Sequence, residues 1–206
     1  MPTAIFNRLK DEKKQRIINA AIKEFSLRNI SEAKILNISK DAEIANGSIY
    51  QYFSTKDDLY VYIIQFLRDK RTADVNQAFE LYKKAPFFDF YEEFYIRDSE
   101  YLFRNPLHVE VGKQMYSSSN PVAKNLVYSQ QIKYRDCFLI GIEHDKDRGI
   151  INRDVDSGIL AEICTYLLTN FLFAKTPELQ LSIDNIQEHC RKTVNILRNG
   201  AAITCK

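Results

Sequence analysis

The sequence predicts an all-α protein, and three observations support this prediction. Only 6 Gly and 5 Pro occur among 206 residues, so the chain contains few helix breakers. Apolar residues recur at spacings of three and four along almost the whole chain, as they do on one face of a helix. No stretch shows the sustained alternation, bounded by turn residues, that predicts a strand. A chain of this length can form one large domain or two modest ones with a real core.

The composition, 45% apolar and 27% charged, is typical of a globular protein. The four cysteines are far apart in the chain: Cys137, Cys164, Cys190 and Cys205. Because no CxxC pair is present, neither a cysteine zinc site nor a disulfide framework is expected. The N-terminal stretch lacks the apolar segment of a signal peptide, and no apolar run approaches the ~20 residues that span a membrane. These features predict a cytoplasmic protein with no membrane partner.

The net charge is +2, but it is unevenly distributed. Residues 1–56 hold ten Lys and Arg against six Asp and Glu, a balance of +4, which leaves −2 for the remaining 150 residues. A basic N-terminal region on a near-neutral body indicates a polyanionic partner at that end. An ordinary solvated charged face is the alternative interpretation.

The N-terminal half is predicted to contain four helices, at about 11–28, 34–40, 46–52 and 56–85. Asn29 is expected to end the first helix as a left-handed C-cap residue, since Asn tolerates positive φ. A turn is expected over 41–44. Thr55 and Asp58 have the spacing of a capping box at the start of the fourth helix. Polar residues near Lys70 allow a kink or a break in this long helix.

Five further helices are predicted at about 87–104, 106–117, 121–145, 154–174 and 183–199. Pro106 and Pro121 each follow an Asn and favour the first turn of a helix. The stretch between 145 and 154 is expected to form a loop.

The helices at 34–40 and 46–52 are short and are separated by a turn of about four residues, which is the helix-turn-helix arrangement. The segment GSIYQYFSTKDDL, residues 47–59, has the spacing G-x-x-Y-x-[YH]-F-x-x-K-x-x-L, and IINAAIKEF precedes it. On these motifs, residues 13–59 resemble the DNA-binding domain of the TetR family of bacterial transcriptional regulators. The resemblance implies an N-terminal three-helix helix-turn-helix DNA-binding domain at 1–55. It also implies a larger C-terminal helical domain for ligand binding and dimerisation at 56–206.

The candidate DNA-binding residues are Lys34, Ala45, Asn46, Gly47, Ser48, Tyr50, Gln51, Tyr52 and Lys56. Ser48, Tyr50, Gln51 and Tyr52 are expected on the exposed arc of the second short helix. Tyr50, Tyr52 and Lys56 are predicted to contact phosphates. Asn46, Ser48 and Gln51 are predicted to read bases, since Gln can pair bidentately with adenine. For Tyr52, the role of an ordinary half-buried aromatic residue is an equal alternative.

Four positions depart from the pattern of the family. Ala33 and Lys34 stand where it usually has Thr or Ser, so a helix cap is lost and Lys34 is left as a cation. Glu43 stands where a Gly is usual. Either this Glu adopts positive φ, at a cost on the order of 1 kcal/mol, or the turn differs. Ala45 replaces a Ser, so Asn46 is expected to cap the second short helix instead.

The helix at 154–174 is apolar nearly all round, which favours burial on two sides. We interpret one side as a homodimer interface shared with the last helix, and burial within the monomer is the alternative. The candidate interface residues are Ile159, Ile163, Tyr166, Asn170, Ile186, Cys190, Val194 and Leu197.

Residues 87–103 contain many aromatic side chains, and most such rings form core. Aromatic residues joined by single polar groups also describe a ligand pocket, and the resemblance implies an inducer pocket in this region. The candidate ligand-binding residues are Tyr91, Phe94, Asp98, His108, Met115, Tyr134, Phe138 and Tyr166.

Together these features predict a DNA-binding transcriptional regulator, with repression as the default of the resemblance. A homodimer would bind a palindromic double-stranded DNA operator and leave it when a small, largely apolar or aromatic effector binds. No catalytic residue, metal or cofactor is predicted, because HExxH and Glu-x-x-His motifs are absent. The alternatives are a helical protein-interaction module without sequence-specific DNA binding and, less favoured, a helical enzyme.

Overall fold

The computed structural model describes residues 1–79, 84–170 and 182–200, and the side chains of 1–73, 84–168 and 182–200. Every regular element within these ranges is a helix, which confirms the all-α prediction. The helices are α1 Ala4–Asn7, α2 Asp11–Leu27, α3 Ile35–Asp41, α4 Asn46–Tyr52, α5 Lys56–Phe79, α6 Phe87–Arg104, α7 Pro106–Ser117, α8 Pro121–Asp147, α9 Ser157–Asn170 and α10 Ile183–Asn199.

The predicted helices agree with the structure, with several local corrections. Helix α1 was not predicted. Asn29 does not have positive φ; its Oδ1 instead accepts hydrogen bonds from the N–H groups of Ser31 (2.9 Å) and Glu32 (3.3 Å). Helix α5 continues without interruption through Lys70. The predicted extensions of α5 and α9 include residues 80–83 and 171–174, which lie outside the described residues.

Packing divides the chain into two compact units. Unit 1 comprises Met1–Lys70 and Asn105–Gln130, and unit 2 comprises Arg71–Arg104 and Gln131–Lys206. Helices α5 and α8 therefore each contribute residues to both units. The functional division at residues 55 and 56 stays a prediction, since compactness is a different criterion.

The core of unit 1 lies where α2 packs against α3 and α7. Ile17, Phe25, Ile38 and Phe53 are all 0% exposed. Full burial of each such side chain contributes about 1.5–3 kcal/mol, which exceeds what the two seven-residue helices could supply from their own hydrogen bonds. The short α3 and α4 therefore depend on this core for their order.

The core of unit 2 lies where α6 packs against α10 and α9, and it is rich in aromatic rings. The Phe138 ring, on α8, lies edge-on to Tyr91 with their centroids 5.3 Å apart. Asp145 is 1% exposed, and its Oδ2 accepts a 2.6 Å hydrogen bond from the Phe87 N–H, which satisfies one donor at the start of α6. This carboxylate fixes the end of the aromatic helix.

None of the helices among the described residues is long and apolar enough to cross a membrane. The described residues also contain no group of three or more His, Cys, Asp or Glu side chains that could hold a metal ion.

Candidate nucleic-acid interface

The turn between α3 and α4 contains a residue with positive φ, which was one of the two alternatives for Glu43. Glu43 has a φ of 55°, in the left-handed region. The N–H of Ile44 donates to the carbonyl of Ser39 over 3.0 Å and closes the end of α3. The first alternative is therefore correct, and Glu43 occupies a position that glycine would adopt with less strain.

Helix α4 presents a mixed polar face to solvent. Ile49 and Phe53 are 1% and 0% exposed and point into the core of unit 1. Tyr50 is 54% exposed, and Gln51 is also exposed. The remaining candidates at the start of the motif, Ala45, Asn46 and Gly47, are exposed, and Ser48 is half-buried. An exposed amide and an exposed phenol one residue apart are suited to contact a base edge and a phosphate.

Tyr52 does not belong to this exposed face, and the prediction that it does is wrong. Its side chain is 4% exposed. The ring centroid lies 6.0 Å from that of Phe6, and the Lys13 ammonium lies over the ring at 5.8 Å. The alternative of a packed aromatic residue is correct, because α1, which the sequence did not reveal, covers this side of α4.

The N-terminal residues also satisfy the end of α4. The N–H of Thr3 donates to the carbonyl of Tyr52 over 2.9 Å, and its hydroxyl donates to the carbonyl of Gln51 over 2.8 Å. The last carbonyls of a helix otherwise lack partners, so these two bonds fix the direction in which α4 ends. Thr3 thereby fixes the backbone at Gln51, from which the exposed side chain projects.

A buried carboxylate supplies the cap that α3 was expected to lack. Glu24 is 4% exposed, and its Oε1 accepts a 2.9 Å hydrogen bond from the N–H of Lys34. Both of its oxygens also accept from Asn37 Nδ2 over 3.1 Å, and Arg28 donates to Oε2 over 3.0 Å. Helix α3 is therefore held at its start by a residue of α2. The Lys34 side chain is exposed, and only its backbone N–H takes part in this cap.

The start of α4 differs from the prediction. Ala45 is the N-cap residue and makes no side-chain capping bond, and Asn46 is already the first helical residue. The Asn46 Oδ1 instead accepts a 3.3 Å hydrogen bond from the Ser39 hydroxyl. The expected cap by Asn46 is therefore wrong, and its side chain is oriented by α3.

Lys56 is half-buried at the start of α5, and it makes structural contacts. Its ammonium donates to the carbonyls of Ser31 (3.2 Å) and Ala33 (3.0 Å). These bonds connect the loop before α3 to α5. A phosphate contact by Lys56 stays a prediction. The predicted Thr55–Asp58 cap forms, since the Asp58 N–H donates to the Thr55 hydroxyl over 3.0 Å.

A cationic groove, which the sequence did not identify, lies at the junction of α1 and α2. It is a cavity of about 410 Å³, and its lining residues are Arg8, Leu9, Lys10, Glu12, Lys13 and Arg16. Four cations face a single carboxylate there. Because α1 has only four residues, periodicity gave no signal for it. Its role in grouping these charges therefore could not be inferred.

The predicted ligand-binding residues are divided between the two units. Tyr91, Phe94, Asp98 and Phe138 are buried in unit 2, where Tyr134 packs on them, whereas His108 and Met115 belong to unit 1. In unit 2 these rings pack against one another, as plain core would. Both carboxylate oxygens of the buried Asp98 accept hydrogen bonds, from Nε and Nη2 of Arg71. Tyr166 is 65% exposed and does not join this buried cluster.

The predicted dimer residues divide in a similar way. On α9, Ile159, Ile163 and Tyr166 are 58%, 42% and 65% exposed, an apolar surface on a helix whose other side is buried. On α10, Ile186, Cys190 and Val194 are 0–1% exposed, so assigning them to a surface interface is wrong. They are covered by α6, and Leu197 is half-buried beside them. The Asn170 side chain lies outside the described residues.

The short α3, the tight turn and the exposed face of α4 define a helix-turn-helix protein with an all-α fold. Residues 17–63 match the family described as bacterial regulatory proteins, tetR family. The HTH-type transcriptional regulator HbdR of Aromatoleum sp. (strain CIB) is 33% identical over 73 residues, which are 35% of this chain and 32% of HbdR. The chain thus matches about a third of that relative's length.

Two solved structures share the fold over nearly the whole chain. A TetR family transcriptional regulator from Chloroflexus aurantiacus J-10-FL is 21% identical, with a TM-score of 0.74 over 97% of this chain and 98% of that one. The regulator FadR from Bacillus subtilis, in complex with stearoyl-CoA, is 16% identical, with a TM-score of 0.74 over 91% and 99%. The chain is thus similar to TetR family regulators in sequence over residues 17–63 and in fold over nearly its whole length.

Proposed function

We propose that this protein is a DNA-binding transcriptional regulator that represses transcription from a palindromic operator. The observation that carries the proposal is the exposed polar face of α4, held at both ends by residues outside that helix. Thr3 binds its last carbonyls, and Ser39 orients Asn46 at its start. A helix held in this way keeps its side chains in the geometry that base reading requires.

The protein makes two kinds of contact with DNA, one with base edges and one with phosphates. Asn46, Ser48 and Gln51 read bases from the major groove, and Tyr50 donates to a phosphate. The cationic groove supplies further phosphate contacts, because four cations around one carboxylate attract the DNA backbone. Removing one such contact, as in Lys10→Ala, lowers the salt slope of binding by about 1 without changing the preferred sequence.

A homodimer brings two α4 helices to the two half-sites of the palindrome. The exposed apolar face of α9 supports this assembly, because Ile159, Ile163 and Tyr166 are 58%, 42% and 65% exposed on it. Ile163→Glu places a charge in that face and is expected to give a monomer in sedimentation, whereas Glu162→Gln, a substitution at an exposed polar neighbour, keeps the dimer. A wild-type monomer at micromolar concentration, with and without DNA, would count against the dimer.

A small effector with a large apolar part releases the protein from the operator. The stearoyl-CoA bound by the FadR protein of similar fold supports an apolar ligand. Helix α5 begins four residues after α4 ends and continues into unit 2, so a tilt of α5 would change the spacing of the two α4 helices. A coupling free energy of ~1–3 kcal/mol is sufficient.

Selection from random duplexes tests the proposal directly. The ligand-free protein is expected to enrich a palindrome whose half-sites lie one or more DNA turns apart, ~34–36 Å or a multiple. Failure to enrich any sequence, with retained salt-dependent binding to all duplexes, would favour a protein without base reading. Failure to bind any duplex would favour the protein-interaction module.

A further inference from the structure

Arg68 is a half-buried cation, and one hydrogen-bonding edge of its guanidinium is buried without a partner among the described residues. Its Nε and Nη2 atoms are buried and have no hydrogen-bond partner among the described residues. The side chain as a whole is half-buried on α5. A guanidinium does not lose its proton in a protein, so Arg68 cannot avoid this burial by becoming neutral. Buried donors are almost always paired in folded proteins, and an unpaired one requires an explanation.

The two unpaired nitrogens of Arg68 are the ones with which an arginine binds two oxygens of the same anion. Nε and Nη2 lie on the same edge of the guanidinium and donate in parallel to a carboxylate or a phosphate. Arg71, three residues later on α5, uses the same two atoms to bind both oxygens of Asp98. Arg71 therefore forms a bidentate pair with a carboxylate, whereas the same two atoms of Arg68 have no anionic partner among the described residues.

The sequence neighbours of Arg68 on α5 include apolar residues, the cation Lys70 and the acid Asp69, whose Oδ1 already accepts a 2.6 Å hydrogen bond from Gln65 Nε2. Ile64 and Leu67, which precede it on α5, are 6% and 8% exposed. Lys70 lies over the Phe66 ring at 4.9 Å. Burial and the positive charge of Lys70 lower the pKa of His108, which favours the neutral imidazole. An apolar chain that carries an anion would suit this part of α5, because the open edge of Arg68 supplies the charge and the buried Ile64, one helical turn before it, supplies apolar surface.

We propose that Arg68 binds the anionic head group of the effector, a carboxylate or a phosphate, so that the effector is an anionic amphiphile. This inference rests on the proposed ligand-dependent function and names the chemical class of its ligand. The position on α5 places the head group on the helix that begins just after α4. Binding of the anion then acts directly on that helix.

Thermal unfolding of the 206-residue protein tests whether Arg68 has an internal partner. Arg68→Met removes a buried charge that has no partner, and we expect the melting temperature to rise by roughly 2–4 °C. The matched control, Arg71→Met, leaves the buried Asp98 without its partner and is expected to lower the melting temperature. A decrease in Arg68→Met as large as that in Arg71→Met would overturn the proposal, because Arg68 would then stabilise the ligand-free protein.

Three probes with the same ten-carbon chain test the head group: decanoate, decanoyl-CoA and decan-1-ol. The anionic probes are expected to raise the melting temperature of the wild type more than the alcohol does. Arg68→Met should weaken their binding by about tenfold or more and abolish the preference. Arg68→Lys keeps the charge but lacks the parallel donors, so its affinity should be intermediate. A response to decanoyl-CoA alone indicates a phosphate head group, and a response to decanoate indicates that a carboxylate is sufficient.

Equal shifts for the three probes in the wild type, including no shift for any of them, would overturn the proposal. This result is distinguishable from a failure of the proposed function, because the duplex selection uses ligand-free protein. If the protein enriches a palindrome and shows no head-group preference, the proposed regulator function stands and the proposed anionic effector is rejected. If the protein prefers the anionic probes and enriches no DNA sequence, Arg68 stands as an anion-binding residue and the proposed regulator function is rejected.

Discussion

The helix-turn-helix of unit 1 and the helices α6 and α10 of unit 2 are stabilised by different means. Helices α3 and α4 have seven residues each, and their ends are satisfied by single polar groups from elsewhere, Glu24 and Thr3. Helices α6 and α10 have 18 and 17 residues and bury a continuous apolar face. Order in the first region therefore depends on a few hydrogen bonds in addition to the core of unit 1, whereas in the second it depends mainly on packed volume.

The largest expected effect comes from removing packed volume in unit 2. Phe138→Ala deletes a ring that is 0% exposed and that packs against several other rings, so it should lower the free energy of unfolding by ~3–5 kcal/mol. Phe103→Ala, at a ring that is 36% exposed, is the control and should cost much less. Urea denaturation monitored by circular dichroism measures both. Similar losses in the two variants would contradict the conclusion that packed volume stabilises unit 2.

Removal of a single carboxylate should have the next largest effect, and in unit 1. Glu24→Ala leaves the Lys34 N–H and the Asn37 amide without an acceptor, at an expected cost of ~2–3 kcal/mol. Glu32→Ala, at an exposed position in the following loop, is the matched control and should be near neutral. Amide hydrogen exchange should show the loss of protection concentrated in α3. Uniform loss over unit 1 would mean that Glu24 stabilises the whole unit rather than one helix.

The sequence was sufficient to predict most helices of both regions because helix limits depend on local signals. Pro106 and Pro121 begin α7 and α8 as expected. The features that the sequence could not predict depend on contacts between residues distant in the chain. Glu24 acts on Lys34 and Asn37 across a loop, and Tyr52 is buried by a four-residue helix that has too few residues to show periodicity.

The same limit explains the errors in unit 2. The apolar stripe of α10, with Cys190 and Val194, predicts burial but does not specify the partner, and α6 covers it instead of a second chain. Aromatic residues at 87–103 are compatible with core or pocket, because both need apolar surface. The pairing of Asp98 with Arg71 likewise joins residues 27 positions apart, beyond any local pattern.

An effect on specificity rather than on folding should follow substitution on the exposed face of α4. Gln51→Ala is expected to relax discrimination at one base position by ~1–3 kcal/mol and to leave the free energy of unfolding almost unchanged, since the side chain is exposed. Gln65→Ala, at an exposed position on α5, is the control and should alter neither property. Competition binding to duplexes with single base changes gives the discrimination. A uniform loss of affinity for every duplex would reassign Gln51 to the phosphate backbone.

The smallest expected effect is a gain in stability at the turn that joins α3 to α4. Glu43 has a φ of 55°, where a side chain crowds the backbone, so Glu43→Gly should relieve strain. Glycine also has more conformational freedom in the unfolded chain, which offsets part of the benefit. The exposed Arg16–Glu43 pair, with its atoms 3.4 Å apart, contributes little, because both side chains are largely solvated. We therefore expect a net gain of about 0.5–1 kcal/mol in the free energy of unfolding. Glu43→Ala is the matched control, because it removes the same ion pair and keeps the Cβ, and it should give no gain. If Ala and Gly stabilise equally, charge at the turn and not backbone strain limits the stability of this helix-turn-helix.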